Sequence, residues 1–385
     1  MPPVLYLFAL CNLVIGSGAF VLGGILVPLA GSLGISVAAA GQAMTAYAVA
    51  TAVLAPLLIV ATARWSRKSV IQLALGIFAV GCLICALANN LTALLLGRAF
   101  MGAGAMFSAA ASALAVGLVA PAQRGLALSI TFLGMSISYA VGVPVGAWLG
   151  FEYGWRAPVW LSVGASLTML AAASWLVPAN MAAGRASFAG FGAAARQGAV
   201  LRAWLRTLLY FIAIFSVFAY IGPVLQALNA ISSTQLSITL AGFGLAGVAG
   251  TLSGGWANDR FGPMRTMRVQ LLVLMTSMAM LPLTAGQVVA TQATLIVWGV
   301  AGFGLMAPQQ SHLASLSPTQ APLLLSLNGS MVYTGTALGA VISGALLDDV
   351  QLSRLGWVGV PFCLLALLTL AFEPAQTQAR ATAAS

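Results

Sequence analysis

The chain has 385 residues, of which 61% are hydrophobic and only 5% charged, whereas a soluble domain carries about 25% Asp, Glu, Lys and Arg. Fifteen basic and five acidic side chains cannot dress the water-facing surface of the two or three soluble domains that this length would otherwise suggest, so lipid must be the solvent. The net charge of +10 is scattered between apolar runs rather than gathered into a patch or stripe, which excludes a nucleic-acid-binding surface.

At about 20 residues per crossing, twelve helical spans use roughly 240 residues and leave about 145 for loops and tails. Hydrophobic runs of that kind cover 5–29, 38–62, 70–88, 92–118, 126–150 and 157–177, and a second set covers 207–228, 235–257, 267–286, 291–312, 323–346 and 356–372. Turn-forming or charged breaks separate them, such as Arg64-Trp65-Ser66-Arg67-Lys68, Pro121-Ala122-Gln123-Arg124, Asp259-Arg260-Phe261-Gly262-Pro263 and Ser317-Pro318-Thr319. The first run follows Met1-Pro2-Pro3 without a basic segment and exceeds a signal-peptide core, so it is expected to stay as a span. The fold class is therefore an all-α polytopic membrane protein with twelve transmembrane helices.

Basic residues set the orientation. With both termini inside, Arg64, Arg67, Lys68, Arg124, Arg185, Arg196, Arg202, Arg206, Arg260, Arg265, Arg268 and Arg380 fall on the cytoplasmic side and only Arg156 and Arg354 on the other, twelve against two. The longest polar interruption, near the middle of the chain, divides it into an N-terminal six-helix bundle (1–180), a cytoplasmic linker (181–206) and a C-terminal six-helix bundle (207–385). The halves resemble each other. Arg64 aligns with Arg260 at an offset of 196, and Gly142 aligns with Gly339 at 197. A parallel repeat of this kind, with its axis along the membrane normal, organises one large class of transporters.

Several residues stand out within the spans. Small side chains recur every four positions at Gly134, Ser138, Gly142, Gly146 and Gly150, at Gly242, Ala246, Gly250 and Gly254, and at Gly335, Gly339 and Ser343. That spacing puts them on one helix face, suited to static close packing or to a smooth face that slides. Pro144 and Pro223 each remove a backbone hydrogen bond inside a span. Arg98 is the one charge placed within a span, where about 2.5–3.5 kcal/mol of insertion cost calls for a cavity or polar partners, with snorkelling to the outer interface as the alternative. None of the five acidic residues, Glu152, Asp259, Asp348, Asp349 and Glu373, lies in a span core. His312 is the sole histidine, the side-chain type that exchanges protons near neutral pH, but it falls near the cytoplasmic end of its run, where a helix-end or solvated role is expected. Asn12, Gln42, Tyr47, Tyr139, Gln226, Gln309, Gln310 and Asn328 are polar groups in apolar surroundings and mark either a cavity or interhelical hydrogen bonds. Phe211, Phe215 and Phe218 share one face of the seventh span, beside Tyr210 and Tyr220, and suit a cavity wall or plain packing. Cys11, Cys82, Cys85 and Cys363 all lie in apolar stretches, so neither a disulfide framework nor a metal or redox centre is expected.

At these residues the chain resembles the major facilitator superfamily, in particular its twelve-span drug:proton antiporter branch of arabinose-exporter-like and purine-exporter-like permeases. Gly255-Trp256-Ala257-Asn258-Asp259-Arg260-Phe261-Gly262-Pro263-Met264-Arg265 resembles the superfamily's cytoplasmic gating motif. Leu96-Gly97-Arg98-Ala99-Phe100-Met101-Gly102-Ala103-Gly104 is similar to its fourth-span motif. Gly142-Val143-Pro144-Val145-Gly146-Ala147-Trp148-Leu149-Gly150, with Gly154-Trp155-Arg156, resembles the fifth-span antiporter motif. Tyr220-Ile221-Gly222-Pro223 and Ala307-Pro308-Gln309-Gln310 are further matches. Two departures stand against these: Ala63 and Ser66 replace the usual aspartate and glycine of the first-half gating motif, and the first span has no acidic residue.

The resemblance implies two pseudo-symmetric bundles rocking about a central cavity in the bacterial cytoplasmic membrane, a monomer exporting small organic solutes by proton-coupled antiport. Substrate contacts are expected at Asn12, Tyr47, Arg98, Tyr139, Phe218, Tyr220, Gln309, Gln310 and Asn328, and gating at Asp259, Arg260, Arg265, Gly142, Pro144 and Gly146. The partners are then a small-molecule substrate, protons and membrane lipid, with no cofactor and no metal. Without an embedded carboxylate, an uncoupled facilitator or anion-linked carrier stays open, as does a non-transporting sensor with the same fold. With no nucleotide-binding loop, metal-spaced His/Cys set or nucleophile triad, the chain is not expected to be an enzyme.

Overall fold

The structure, a computed structural model, describes residues 1–120, 123–178, 196–317 and 320–371. Arg185, Glu373, Arg380 and most of the expected linker lie outside the described residues. Among those described, twelve helices of 20–29 residues are long and apolar enough to cross a membrane. They are α1 (Val4–Gly24), α2 (Val37–Ala61), α3 (Arg67–Leu87), α4 (Leu91–Gly117), α5 (Arg124–Glu152), α6 (Arg156–Leu176), α7 (Gly198–Phe218), α8 (Ser233–Phe261), α9 (Pro263–Thr284), α10 (Val288–Leu316), α11 (Leu323–Leu346) and α12 (Leu352–Ala371). Large apolar side chains point outward, including Trp175 at 86% and Val289 at 79% exposure, as they must where hydrocarbon is the solvent.

Local chemistry sets the helix ends. Ser36, Ser66 and Asn90 cap α2, α3 and α4, their side-chain oxygens accepting from the amides of Ala39 (3.1 Å), Ser69 (3.1 Å) and Ala93 (2.9 Å). Between α8 and α9 the chain turns at Gly262, whose φ of +80° suits a residue without Cβ, and Pro263 opens the next helix. The runs expected at 5–29 and 207–228 are each broken. α1 kinks at Ile25 (φ −120°, ψ 23°) into a short helix Leu26–Leu33, and α7 kinks at Tyr220 (φ −118°, ψ 23°) into Ile221–Leu228. The cause is the same in both, because Pro28 and Pro223, each third in its continuation, offer no N–H to the carbonyl four residues back.

The seventh span differs from expectation at its start. α7 begins at Gly198, so Arg202 and Arg206, expected in a cytoplasmic linker, are helical. Val200, Ala203, Trp204 and Thr207 are spaced as one face of a helix, and the first three pack on Leu313 and Leu324. The interleaved arginines lower the local hydropathy and hide that face from a search for apolar runs.

Contacts group the chain into two compact units, Met1–Ser187 with Ser232–Ala241 and Phe188–Ile231 with Gly242–Ser385. In unit 1 the small-residue face of α5 lies against α1. A Cβ at Gly134 would collide with Ala9 O, at Gly142 with Ser17 Oγ, and at Gly146 with Val21. Midway along this seam α5 widens into one π turn, Ser138–Gly142, in which the Val143 amide donates to Ser138 O, and Pro144 follows it. The beginning of α8 also belongs to unit 1, where Ser233 Oγ donates to Glu152 Oε1 (2.5 Å). In unit 2 the same seam recurs between α7 and α11, where a Cβ at Gly335 would stand 2.6 Å from Leu208 O and one at Gly339 2.6 Å from Ile212 O. Gly102 lets α4 reach the backbone of α2 at Tyr47 O, and Gly299, 197 residues on, lets α10 reach α8 at Phe243 O. Gly250 and Gly254 continue that second contact against Val300 and Gly304, but Gly242 meets nothing within 4 Å.

Backbone contact at Gly250 sets a sharp contrast within one stripe. Gly250→Ala is expected to destabilise the protein by about 1–3 kcal/mol, whereas Gly242→Ala should leave it as stable or slightly more so. Thermal unfolding of the two purified variants checks this, and equal midpoints would refute the close α8–α10 approach.

Candidate functional site

In unit 1 the structure builds a polar centre around Arg98. Its side chain is 1% exposed, so it neither snorkels nor opens onto a broad cavity. Nε donates to Ala43 O (3.0 Å), one terminal nitrogen to Gly18 O (2.7 Å) and the other to Ala19 O (2.6 Å). The sulfurs of Met101 (3.7 Å) and Met44 (3.8 Å) take the two remaining donors, and the guanidinium lies 4.7 Å from the Tyr47 ring centroid. A helical carbonyl has a second lone pair, so α1 and α2 can receive the charge without breaking their own ladders. Beside it is a void of about 10 Å³ lined by Gly18, Cys85, Met101 and Ser162, room for about one water.

An aromatic path leads from this centre. Tyr47 meets Phe20 edge-on (6.5 Å) and Phe20 stacks on Tyr139 (4.9 Å, 25°), which sits in the π turn of α5. One face of α1 higher in sequence holds Asn12, fully buried, whose Nδ2 donates to Thr131 O (2.8 Å) and whose Oδ1 accepts from Ser108 (2.7 Å). Asn12 thus ties α1 to α4 and α5. A groove of about 540 Å³ runs along α2 and α4, lined by Gln42, Thr45, Ala46, Val49 and Leu95 among others, and none of the expected contact residues lines it.

Unit 2 repeats the tie with different side chains. Thr207 Oγ1 donates to Asn328 Oδ1 (2.6 Å), and Gln309 Nε2 donates to Thr207 Oγ1 (2.9 Å) and Ala203 O (2.6 Å). Gln309 Oε1 accepts from Arg206 (3.3 Å), whose Nε donates to Thr369 Oγ1 (2.9 Å). Gln309 and Asn328 are 0% and 2% exposed and so sit inside this network, while the neighbouring Gln310 faces outward. His312, expected at a solvated helix end, is 1% exposed because α10 continues to Leu316.

Above the network a ladder of rings crosses three helices. Phe211 and Phe215 stack (6.1 Å), Phe218 stacks on Phe243 of α8 (5.4 Å), and Phe243 meets Trp298 of α10 (5.5 Å). Tyr220 is buried at the α7 kink, its hydroxyl donating to Ala340 O (3.2 Å). At the α8–α9 turn, Asp259, Arg260 and Arg265 are exposed, and the Asp259 carboxylate accepts from the Asn258 amide (3.1 Å). Gly142, Pro144 and Gly146 lie on or beside the α1–α5 seam.

Sequence reasoning missed Arg206, Thr207, Ser108, Thr131 and Trp298. For Thr207 and Thr131 the repeat was the available signal, since Thr131 and Asn328 are 197 apart. Arg206 carried none beyond its helical spacing, because the partner positions on α10 and α12 are remote in sequence.

Twelve apolar helices in two related sets, with arginines and amides withdrawn into their interiors, define a polytopic membrane carrier. The family model "Major Facilitator Superfamily" matches residues 8–321 and 207–384, and the chain belongs to that superfamily. It is 29% identical over 349 residues to the inner membrane transport protein YdhP of Escherichia coli strain K12, covering 90% of this chain and 88% of YdhP. It is 28% identical to a chloramphenicol resistance protein of Streptomyces lividans, over 98% of this chain and 97% of that protein. Among solved structures, a bacterial homologue of the human lysosomal transporter Spinster superposes with a TM-score of 0.81 at 16% identity, covering 96% of this chain and 95% of that one, a likeness of fold. The chain is a transporter, not an enzyme.

The Thr207 hydroxyl is both donor and acceptor in the unit 2 tie. Thr207→Val keeps its shape and is expected to destabilise the protein by about 1–3 kcal/mol, as buried amides of Gln309 and Asn328 lose a partner. Thr168→Val, at an exposed hydroxyl bonded only to its own helix, should change stability little, and equal unfolding midpoints for the two variants would refute the network's role.

Proposed function

We propose that this transporter exports small organic solutes, drug-like, sugar-like or nucleobase-like, across the bacterial cytoplasmic membrane by alternating access coupled to proton antiport. The observation that carries the reading is the end-to-end likeness to a chloramphenicol resistance protein. The glycine–proline segment Gly142–Gly150 adds support through its resemblance to the antiporter motif. The two bundles, 1–180 and 207–385, are the moving bodies, and the segment 181–206 joins them. Both termini are cytoplasmic on the basic-residue bias, which stays at eleven against two once Arg206 is withdrawn into α7. The working unit is a monomer surrounded by lipid.

Arg98 and Tyr47, with Tyr139 reached through Phe20, contribute charge and aromatic surface to the solute path in the first bundle, and Asn12 supports them. Phe218, Tyr220 and Gln310 contribute in the second, with Gln309 and Asn328 positioning the helices that carry them. Asp259, Arg260 and Arg265 stabilise one state of the cytoplasmic gate, and Gly142, Pro144 and Gly146 hold the close α1–α5 face along which the first bundle rocks.

One observation favours a second reading, an uncoupled facilitator. The described carboxylates, Glu152, Asp259, Asp348 and Asp349, are all exposed at helix ends or loops, so no acidic side chain among them is embedded to carry a proton.

Liposomes containing the purified protein, with an imposed pH gradient and a panel including chloramphenicol, separate the readings when internal pH and solute uptake are recorded together. Antiport predicts solute movement matched by opposite proton flux, and Arg98→Ala with Asp259→Asn should abolish both. Solute flux without proton movement would establish the facilitator, and binding without flux would establish a sensor.

A further inference from the structure

An indole N–H in unit 2 is buried without a partner. Trp298 is 1% exposed, and its Nε1, a donor with no acceptor capacity, has no hydrogen-bond partner among the described residues. Protein interiors almost always satisfy such groups, because a donor stripped of water and left unpaired is unfavourable. The sequence alone did not mark Trp298, and the ties of α7, α10 and α11 do not use it.

The surroundings define what the N–H can receive. The indole meets Phe243 edge-on (5.5 Å, 66°), and Phe243 in turn stacks on Phe218 (5.4 Å, 27°) and meets Phe303 edge-on (5.9 Å, 67°). This wall is aromatic and carries no charge. One turn beyond Trp298 on the same helix, Gly302 leaves a gap. A Cβ there would lie 3.7 Å from Trp298 Nε1, 3.6 Å from its Cδ1 and 3.4 Å from Ile214 Cδ1, all ordinary contact distances. A space the size of one heavy atom therefore adjoins the unpaired donor. Gly302, Phe303 and Ile214 are only half-buried, so the gap lies at the edge of the packed interior.

We propose that Trp298, Gly302, Ile214 and the Phe243–Phe218 pair form a binding site for an uncharged, planar aromatic solute that carries an oxygen acceptor such as a ketone. The solute ring packs against the aromatic wall at the offset or edge-on spacings such pairs adopt. Its oxygen enters the gap at Gly302 and accepts the Trp298 N–H. An acceptor-free solute of the same shape leaves the donor unpaired, so the site discriminates by hydrogen bonding rather than by size. The site rests on the transport reading only in treating the solute as cargo, and binding is measurable without flux.

Acetophenone and α-methylstyrene are matched in shape and differ in a carbonyl oxygen against a methylene. Full-length protein with 15N-labelled tryptophan indoles, in lipid nanodiscs, has nine indole N–H groups, and the signal missing from Trp298→Phe identifies Trp298. Acetophenone is expected to move that signal saturably downfield, and α-methylstyrene to bind about tenfold more weakly without that shift. Gly302→Ala, which fills the gap, should weaken acetophenone binding by about tenfold while the other indole signals stay in place. An unmoved Trp298 signal in the wild-type protein, as when water alone occupies the gap, would overturn the site, and so would equal responses to the two probes. Failure here leaves the transport reading standing, whereas failure of flux in liposomes leaves this binding result intact.

Discussion

Hydrocarbon does not drive apolar helices together, and the architecture of this chain follows from that constraint. Lipid tails match leucine and valine side chains, so cohesion has to come from close approach and from polar groups with no other place to bond. The glycine seams supply the first. Along α1–α5 and α7–α11 the backbones themselves are in contact, because any Cβ at Gly134, Gly335 or Gly339 would strike a carbonyl or amide of the facing helix. The buried ties supply the second. Asn12 with Ser108 and Thr131, and Thr207 with Gln309 and Asn328, each join three helices through groups that would be costly to leave unbonded in an interior without water.

Both units use these devices at matching repeat positions, and the prolines at 28 and 223 bend the first helix of each in the same way. Where the units diverge, they diverge in chemistry rather than in backbone. Arg98 occupies the middle of α4 with its charge distributed over three carbonyls and the Tyr47 ring. The repeat position on α10 is Leu295, fully buried, and one turn further Trp298 packs on Phe243. One unit therefore presents a cationic centre and the other an aromatic wall. A transporter for organic solutes can use that asymmetry, because charge orients a dipole while rings accept a flat apolar surface.

The buried charge is all positive among the described residues, and the described carboxylates are at the surface. Arg98 needs no acid to be tolerated, since the dipoles of Gly18, Ala19 and Ala43 do the compensating. An acidic partner there would bind the guanidinium as a fixed ion pair. Neutral carbonyls hold its geometry and leave its field available to whatever enters nearby.

Composition and spacing in the sequence were enough for the membrane class, the twelve spans, the sixfold repeat in each half and the small-residue faces, because lipid imposes a length and an apolarity on every crossing and a period on every close contact. They also singled out Arg98, Asn12, Gln309 and Asn328 as polar groups that had to find partners. Which partners those were was decided by tertiary structure. The bonds from Asn12 to Thr131 and from Gln309 to Thr207 join residues about a hundred positions apart, and no local periodicity encodes that distance. The early start of α7 was hidden for a related reason, since Arg202 and Arg206 lower its hydropathy while Val200, Ala203 and Trp204 bury against helices that arrive much later in the chain. The unpaired N–H of Trp298 exists only once three helices enclose it.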